Sequence, residues 1–385
     1  MKILFSAEDL WPYVGGAEVG LDELLEELSK KHEVHAVWVG EKKKKNAGYH
    51  QHPQPLSTVY RNIPVFNRTL IRQYAANFKW EKVLQKYIDE IKPDLILTQL
   101  QFMPGSVKAA VKNRIKSVAF IQNWEHFCPY LFMNHDPEQC QKDCFSYCPP
   151  AYKIQWPVVQ RIRKLHTWGF RHLDMVFGDS QYCCDVLKEY TGVTGLPFHP
   201  IVHLDKFKIE KNSKEFVTFI NPILTKGITT VLKLVRLMPE TKFLVVGGGN
   251  VTAQPWIEKV RKEKNVSYIP WEDDMRKVYA KTKVLIVPST WPEPFGRICL
   301  EAQINRIPVV ASKRGGLPEA VGEGGILVED YKDAKAWKEA LVSLDDPKVY
   351  QEMSMLAALH AEGFTFAKQF SYFTKTLKDR GLYRE

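Results

Sequence analysis

The segment from Val287 to Glu329 decides the fold class, and it reads VPSTWPEPFGRICLEAQINRIPVVASKRGGLPEAVGEGGILVE. The β-branched apolar run that ends at Val287 predicts a buried parallel strand. Gly296–Asn305 has apolar side chains at helical spacing, and Pro308–Ala311 is a second short apolar run typical of a strand. The order strand, loop, helix, strand places the loop Ser289–Phe295 at the carboxyl end of a parallel strand. Doubly wound sheets bind their ligands at that edge.

Two carboxylates in this segment, Glu293 and Glu301, are separated by seven residues. The backbone N–H groups of Gly296, Arg297 and Ile298 lie at the predicted helix start, where such groups bind phosphate. Glu301 would then accept hydrogen bonds from hydroxyls such as those of a ribose. Glu293 would face the group on the other side of the phosphate. Taken alone, the pair could equally be two solvated carboxylates near a helix start, where the helix dipole favours them.

The run Glu293-Pro-Phe-Gly-Arg-Ile-Cys-Leu-Glu301 resembles the E-x7-E signature of the family 4 retaining glycosyltransferases, which have the GT-B fold. Pro308-Val-Val-Ala-Ser312 and Gly315-Gly-Leu-Pro-Glu319 are similar to the same family's pattern. The resemblance implies an α/β protein of two Rossmann-like domains that face each other across a cleft, with a nucleotide sugar bound mainly by the second. It also implies a metal-independent transfer, and backbone N–H groups of Gly315 and Gly316 that point toward the donor.

The chain begins with a strand, a glycine turn at Gly15 and Gly16, and the helix Val19–Lys31, which is the opening of a Rossmann unit. The turn lacks G-x-G-x-x-G, so an NAD-dependent oxidoreductase is poorly supported. In the family that the segment resembles, this turn lies near the donor diphosphate. Glu18 is either part of that site or only a carboxylate in the first turn of the helix.

The loop Ile121–Pro129 resembles the family segment in which a His-Asp pair follows a strand and precedes a Cys-Pro pair. Here those two positions hold Gln122 and Asn123. Because the family histidine touches the donor sugar, the resemblance implies that Gln122 or Asn123 makes this contact, or that His126 replaces it.

In the second domain, most relatives carry an arginine and a lysine in the first loop, and these clamp the donor diphosphate. Lys226 matches the lysine, whereas Asn221 and Pro222 occupy the arginine position, for which Arg297 is a partial replacement. Asp273 and its acidic neighbour precede a predicted helix, so we expect caps there rather than metal ligands.

The predicted catalytic residues are Glu293, Lys226, His126 and Gln122. The predicted donor-binding residues are Gly15, Gly16, Asn221, Gly248, Trp271, Phe295, Gly296, Arg297, Ile298 and Glu301.

A chain of 385 residues is longer than a domain with a single hydrophobic core usually is, so we predict two domains. We expect residues 1–205 to form the first domain and residues 206–365 the second, with a final helix in 366–385 that packs back on the first. No apolar run approaches the roughly 18 residues of a membrane span, and the N-terminus has no signal-peptide pattern. We therefore expect a cytoplasmic protein, with peripheral contact at the inner membrane face as an open alternative.

Formal net charge is +10, and basic side chains are concentrated in the first half of the chain. For Lys42–Lys45 we favour a solvated surface in a long exposed loop, Lys42–Arg61. Elsewhere the charge indicates attraction to an anionic membrane or to a phosphate-bearing acceptor. Nucleic acid is not expected as a partner, because no recognised nucleic-acid motif accompanies the charge.

Four of the seven cysteines, Cys128, Cys140, Cys144 and Cys148, are spaced C-x11-C-x3-C-x3-C. Four thiolates could hold a structural zinc ion or an iron–sulfur cluster. They could also form two disulfides, which are unusual in a cytosol, or remain free thiols. The cluster does not decide between these states.

The predicted function is retaining transfer of a sugar from a UDP- or GDP-sugar to a hydroxyl of a glycan, a lipid-linked acceptor or a small molecule, as in polysaccharide biosynthesis. No cofactor is required for this reaction in the family. The alternative is a non-catalytic GT-B protein that binds nucleotide sugars. The departures at Gln122 and at Asn221 motivate it.

Overall fold

The computed structural model describes residues 1–8, 10, 15–55, 59, 70–128, 144–148, 150–247 and 253–384. The chain divides into two compact units. Unit 1 comprises Met1–Ile201 together with Gln369–Glu385, and unit 2 comprises Val202–Lys368. The predicted boundaries lie at residues 205 and 365. Each unit is built on its own parallel β-sheet flanked by helices.

Unit 1 contains a seven-stranded sheet with the order β3-β2-β1-β4-β5-β6-β7, and every neighbouring pair in it is parallel. Its inner strands are almost wholly apolar and buried, as expected for a sheet that helices cover on both faces. The strands are β1 Lys2–Ala7, β2 Glu33–Val39, β3 His50–Gln54, β4 Leu95–Gln99, β5 Lys116–Ile121, β6 Met175–Gly178 and β7 Leu196–Pro197.

The helices of unit 1 alternate with these strands along the chain, and buried aromatic side chains pack between helices and sheet. Trp80 is fully buried, stacks on Phe102 with ring centroids 4.6 Å apart, and donates from Nε1 to Ser6 Oγ at 2.8 Å. The helices are α1 Gly16–Ser29, α2 Leu70–Ile91, α3 Met103–Asn113, α4 Cys144–Tyr147, α5 Pro150–Lys153, α6 Trp156–His172 and α7 Gln181–Thr191.

The last helix of the chain, Phe366–Asp379, belongs to unit 1 from Gln369 onward. Its Phe373 is fully buried, and its ring lies 5.2 to 6.0 Å from the rings of Phe120, Phe177 and Phe198. The C-terminal segment therefore completes the apolar core of the first unit.

Unit 2 contains a six-stranded parallel sheet with the order β10-β9-β8-β11-β12-β13. Its strands are β8 Phe216–Ile220, β9 Phe243–Val246, β10 Val266–Ile269, β11 Thr282–Val287, β12 Val309–Ser312 and β13 Gly325–Val328. Its helices are α8 Ile228–Leu237, α9 Gln254–Val260, α10 Arg276–Tyr279, α11 Arg297–Gln303, α12 Leu317–Val321, α13 Ala334–Ser343 and α14 Pro347–Glu362. Three apolar clusters of described residues lie in this unit, and Trp337 is buried in one of them.

The strand order of unit 2 determines where a ligand can bind. β8 and β11 are neighbours, but the chain leaves β8 toward β9 on one side and leaves β11 toward β12 on the other. This reversal is a topological switch point, where open α/β sheets form a crevice beyond the carboxyl ends of their strands. The loops that follow β8 and β11 carry Lys226 and Glu293, respectively.

The prediction of a long exposed loop over Lys42–Arg61 is wrong for His50–Gln54, which forms the edge strand β3 beside β2. This strand is polar and contains a proline, so it carries no apolar alternation, and an edge position tolerates both features. Lys44 is also not simply solvated. It donates to Asp22 at 2.6 Å and to Glu26 at 2.9 Å.

None of the helices in the described part of the chain combines the length and the apolar character needed to cross a bilayer.

Candidate active site

Glu293 is the centre of a charged cluster at the carboxyl edge of the unit 2 sheet. Its side chain is only 8% exposed, and Lys226 Nζ donates to its two carboxylate oxygens at 2.6 and 2.7 Å. Ser289 Oγ donates to Oε1 of the same carboxylate at 2.5 Å. Lys226 also lies over the ring of Trp291, 5.4 Å from its centroid. A buried carboxylate with three charge-assisted or short hydrogen bonds is held in one orientation.

The loops after β8 and β11 are joined by their backbones, which places Lys226 opposite Glu293. Thr290 N and Trp291 N both donate to Thr225 O, at 2.9 and 3.1 Å. Gly227 has a φ of +87°, and a Cβ at this position would lie 1.8 Å from Pro288 O. Only glycine permits both the left-handed backbone and this close approach.

A third loop, after β12, packs against the backbone of Glu293. Gly316 N donates to Glu293 O at 2.7 Å. Gly315 has a φ of +61°, and a Cβ there would lie 2.4 Å from the same carbonyl oxygen. The prediction that both glycines direct N–H groups toward the donor is therefore wrong for Gly316, whose N–H already has a partner in the protein.

Glu301 forms a second cluster on α11. The residue is 2% exposed; Tyr279 OH donates to its Oε2 at 2.8 Å, and Arg297 Nε donates to its Oε1 at 2.9 Å. Burial, reinforced by the neighbouring carboxylate, raises the pKa of Tyr279 well above its usual value, so this hydroxyl stays protonated and donates. An ionised carboxylate has about four acceptor positions, so two bonds leave capacity for a ligand.

Helix α11 is shorter than predicted, since it begins at Arg297 and ends at Gln303. Gly296 precedes it with a φ of +115°, and a Cβ there would lie 2.6 Å from Leu317 Cδ2. Between the two carboxylates lies the buried thiol of Cys299. Burial, with smaller effects from Glu293 and Glu301, raises its pKa, so this thiol is neutral and acts as apolar filling.

The remaining predicted donor residues of unit 2 occupy different environments. Asn221 has a φ of +66°, and its Oδ1 is buried with no hydrogen-bond partner among the described residues. Trp271 is 57% exposed and donates from Nε1 to Asp273 at 2.6 Å. Phe295 is buried in an apolar core cluster, and the partly buried Ile298 packs against that cluster. Gly248 lies outside the described residues.

The predicted residues of unit 1 form a separate group. Gly15 and Gly16 are exposed at the start of α1, and the Glu18 carboxylate lies 2.1 Å from where a Cβ at Gly15 would stand. Gln122 follows β5, and its Oε1 is buried with no partner in the described part of the chain. His126 is buried, with Nδ1 3.0 Å from His166 Nδ1, and burial lowers its pKa well below 6.5. Sugar contacts by these residues stay predictions.

The structure describes only part of the four-cysteine cluster. Cys140 and the side chain of Cys144 lie outside the described residues, whereas Cys128 and Cys148 are half-buried. Within the ranges that the structure describes, no three His, Cys, Asp or Glu side chains form a group that could hold a metal ion. The state of this cluster stays a prediction.

Sequence reasoning missed two residues that hold the carboxylates. Ser289 lies in the quoted loop, four residues before Glu293, and a hydroxyl so close to a buried carboxylate is a usable signal. Tyr279 lies 22 residues before Glu301 in the chain, and no local pattern connects the two.

The chain matches two family models, Glycosyltransferase Family 4 over residues 14–201 and Glycosyl transferases group 1 over residues 203–357. The D-inositol 3-phosphate glycosyltransferase of Corynebacterium diphtheriae is 43% identical over 98 residues, which are 25% of this chain and 22% of that protein. The match thus spans about a fifth of that relative. An uncharacterised 42.6 kDa protein in the cps region of Klebsiella pneumoniae is 24% identical over 83% of this chain and 87% of that protein.

Among solved structures, Anabaena HepE in complex with UDP is similar with a TM-score of 0.74 over 98% of this chain and 100% of that chain. Its sequence identity is 17%, so this likeness concerns the fold, and it confirms the predicted pair of Rossmann-like domains. The two family models and this whole-chain fold therefore support a GT-B glycosyltransferase of the family 4 type.

Proposed function

We propose that this protein is a retaining glycosyltransferase that moves a sugar from a nucleotide sugar to an acceptor hydroxyl. The observation that carries the proposal is the buried Lys226–Glu293 pair beside the switch point of the unit 2 sheet. The fold neighbour HepE is bound to UDP in one structure and to UDP-glucose in another, which supports a donor of the same class.

In the proposed reaction the bond between the anomeric carbon and the diphosphate oxygen breaks, and the acceptor oxygen bonds to that carbon with retention. The proton of the acceptor hydroxyl passes to the leaving diphosphate. Negative charge grows on the leaving diphosphate, and the ammonium group of Lys226 would stabilise it. Lys226 has three N–H donors, so it can keep one bond to Glu293 and turn others to the phosphate. Glu293, held by Ser289, would accept hydrogen bonds from the hydroxyls of the donor sugar.

Glu301 would hold the ribose of the nucleotide. Tyr279 and Arg297 fix the orientation of its carboxylate while its remaining lone pairs stay available to hydroxyls. Arg297 side-chain exposure is 22%, so its guanidinium could also reach the diphosphate. We propose that Lys226, with Arg297, supplies the charge that a metal ion supplies elsewhere, and that a UDP- or GDP-sugar is the donor.

A non-catalytic nucleotide-sugar-binding protein is the second candidate. Two departures favour it: Asn221 stands where the family that this chain resembles has an arginine, and Gln122 stands where that family has a histidine. Both side chains carry a buried oxygen without a partner among the described residues. This candidate requires nucleotide binding without turnover of any donor.

Calorimetric titration of the full chain with UDP, GDP and ADP tests the proposal, followed by hydrolysis of a sugar carried by the base that binds. We expect one nucleotide to bind and its sugar donor to be hydrolysed slowly. Lys226→Met should abolish the hydrolysis, whereas Lys233→Met, which removes an exposed lysine from α8, should not. Binding without hydrolysis or transfer favours the second candidate, and no binding by any of the three refutes both.

A further inference from the structure

The edge strand β3 of the unit 1 sheet has few apolar atoms with which to hold its place. It reads His50-Gln-His-Pro-Gln54, and in the described sheet its residues pair with β2. An edge strand without a buried apolar face is attached by its ladder hydrogen bonds and by cross-strand side-chain contacts. The side-chain contacts of β3 therefore decide how firmly this strand is attached.

Three imidazole rings supply the central contacts: His35 on β2, and His50 and His52 on β3. The ring of His35, which is buried, stacks on the other two, with centroids 4.5 Å from that of His50 and 5.2 Å from that of His52. His35 Nδ1 and His52 Nε2 are 3.0 Å apart, within hydrogen-bond distance. The His52 ring also lies 4.8 Å from the ring of Tyr87 on α2. The histidine trio thus joins β3 to both β2 and α2.

The protons of the trio follow from its partners. Glu33 Oε1 lies 3.0 Å from His35 Nε2, and an ionised carboxylate only accepts, so His35 Nε2 carries a proton. The hydrogen bond from His35 lowers the pKa of Glu33, so this carboxylate stays ionised in mildly acidic solution. In the neutral His35 ring Nδ1 is then an acceptor, and His52 Nε2 donates to it. The bond between the two rings therefore requires that at least one of them is neutral.

Protonation of both rings would destroy this bond. An imidazolium carries an N–H on each nitrogen, so His35 Nδ1 and His52 Nε2 would face each other as two donors, and their charges would repel. Burial, together with the neighbouring His35, accordingly lowers the pKa of His52 from 6.5 to about 4. In a separated strand His52 would regain its ordinary pKa, so separation of β3 takes up a proton below about pH 6.5.

The other charged and titratable groups near the trio do not restore the charge that burial disfavours. Lys43 opposes a positive charge on His52 and Glu90 favours one, and both effects are smaller than that of burial. The groups that face the trio from the described elements around it are Lys2 on β1, Glu33 on β2, Lys43 in the loop before β3, and Lys86, Tyr87 and Glu90 on α2.

The segment before β3 is attached to α1 by contacts that contain no histidine. Lys44 donates to Asp22 at 2.6 Å and to Glu26 at 2.9 Å. Gly48 N donates to Glu26 at 2.8 Å, and Tyr49 OH donates to Asp22 at 2.7 Å. Loss of the histidine contacts would therefore free β3 itself and leave residues 44–49 in place.

We propose that the histidine trio is a proton-sensitive attachment of the sheet edge: in mildly acidic solution β3 separates from β2 while the rest of unit 1 stays folded. One additional proton on His52 in the separated strand raises the equilibrium constant for separation roughly tenfold between about pH 7.5 and pH 5.5. The inference does not depend on the proposed function, because every group that carries it lies in unit 1.

Amide hydrogen exchange of the full chain, followed by mass spectrometry at about pH 7.5 and about pH 5.5, tests the proposal. After correction for the pH dependence of chemical exchange, we expect protection of His50–Gln54 to fall roughly tenfold and protection of the inner strand β4 to stay unchanged. His52→Gln keeps an N–H donor for His35 but takes up no proton, so β3 should then be equally protected at both pH values. His172→Gln removes an exposed histidine of α6 and is the matched control, which should respond to pH as the unchanged chain does.

The comparison of the two pH values in the unchanged chain needs no variant, so the test holds even if His52→Gln fails to fold. The inference is overturned if β3 has the same protection at both pH values, or if β4 loses as much protection as β3 does. It is also overturned if folded His52→Gln responds to pH as strongly as His172→Gln.

Discussion

Replacing Lys226 by methionine should destabilise unit 2 more than replacing both partners of the Lys226–Glu293 pair. The single change removes two of the three hydrogen bonds to the Glu293 carboxylate and leaves only the bond from Ser289. The carboxyl group stays in place with its side chain 8% exposed, and it has lost the cation that compensated it. Glu293→Gln in the same chain removes that charge.

The magnitude follows from burial. Breaking a buried ion pair by removing one partner costs about 3–5 kcal/mol. The side chain of Lys226 is 29% exposed, so water can reach the site and we expect about 2–3 kcal/mol for Lys226→Met. The double variant has no buried charge, and we expect it to lose only about 1 kcal/mol.

Urea unfolding followed by tryptophan fluorescence measures both losses, with the exposed Lys233→Met as the control for removal of a lysine. The two single variants and the double variant form a thermodynamic cycle, which isolates the coupling between the two charges. If the loss in the double variant equals the sum of the losses in the two single variants, the two charges are not coupled in the folded protein. The reasoning about the site would then fail.

Three further outcomes are expected. Glu301→Ala should weaken UDP binding by about 1–3 kcal/mol, the scale of a lost charged hydrogen bond, and unchanged affinity in a titration would refute its ribose role. Gly227→Ala should lower stability by about 2 kcal/mol or more and reduce UDP affinity, because its Cβ would meet Pro288 O. Gly192→Ala is the control: its φ is +76° and the space around it is open, so it should cost about 1 kcal/mol and leave UDP affinity unchanged. Equal effects of the two substitutions on UDP binding would contradict this prediction. Burial lowers the pKa of His52 to about 4 and that of His166 to about 3, from 6.5. The unfolded chain therefore binds more protons below pH 6.5, and the free energy of unfolding should fall as pH is lowered from about 6.5 toward 4. His52→Gln should flatten this dependence in urea titrations at several pH values, and an unchanged slope would show that His52 does not contribute.

The sequence predicted the polar edge strand β3 poorly and the glycosyltransferase-like segment well, for related reasons. His50–Gln54 has no alternating pattern because no apolar face is buried there, and its pairing with β2 is a property of the sheet rather than of the segment. The segment from Val287 to Glu329 instead has buried strands and a helix with apolar residues at helical spacing, and these patterns can be recognised in the sequence. Both ends of α11 and the bounds of β12 differed from the prediction by one or two residues.

The sequence by itself determined the class of fold, and it predicted the charged residues Lys226, Glu293 and Glu301 from which the candidate site is built. Short β-branched runs alternate with helical patterns along the chain, which indicates parallel sheets, and the length of 385 residues predicts two domains. The spacing of Glu293 and Glu301 on a loop and the following helix is likewise a local feature that can be seen without coordinates.

Only the tertiary structure decided which charges meet. Lys226 reaches Glu293 across 67 residues because the strand order makes β8 and β11 neighbours and brings their loops together. Tyr279 on α10 reaches Glu301 on α11 across 22 residues. The same holds for Gly315, whose need for glycine comes from the backbone of Glu293 as well as from its own φ of +61°. Local periodicity reports which face of a segment is buried, but contacts between distant loops depend on the packing of the whole sheet, and the sequence of one loop does not contain that information.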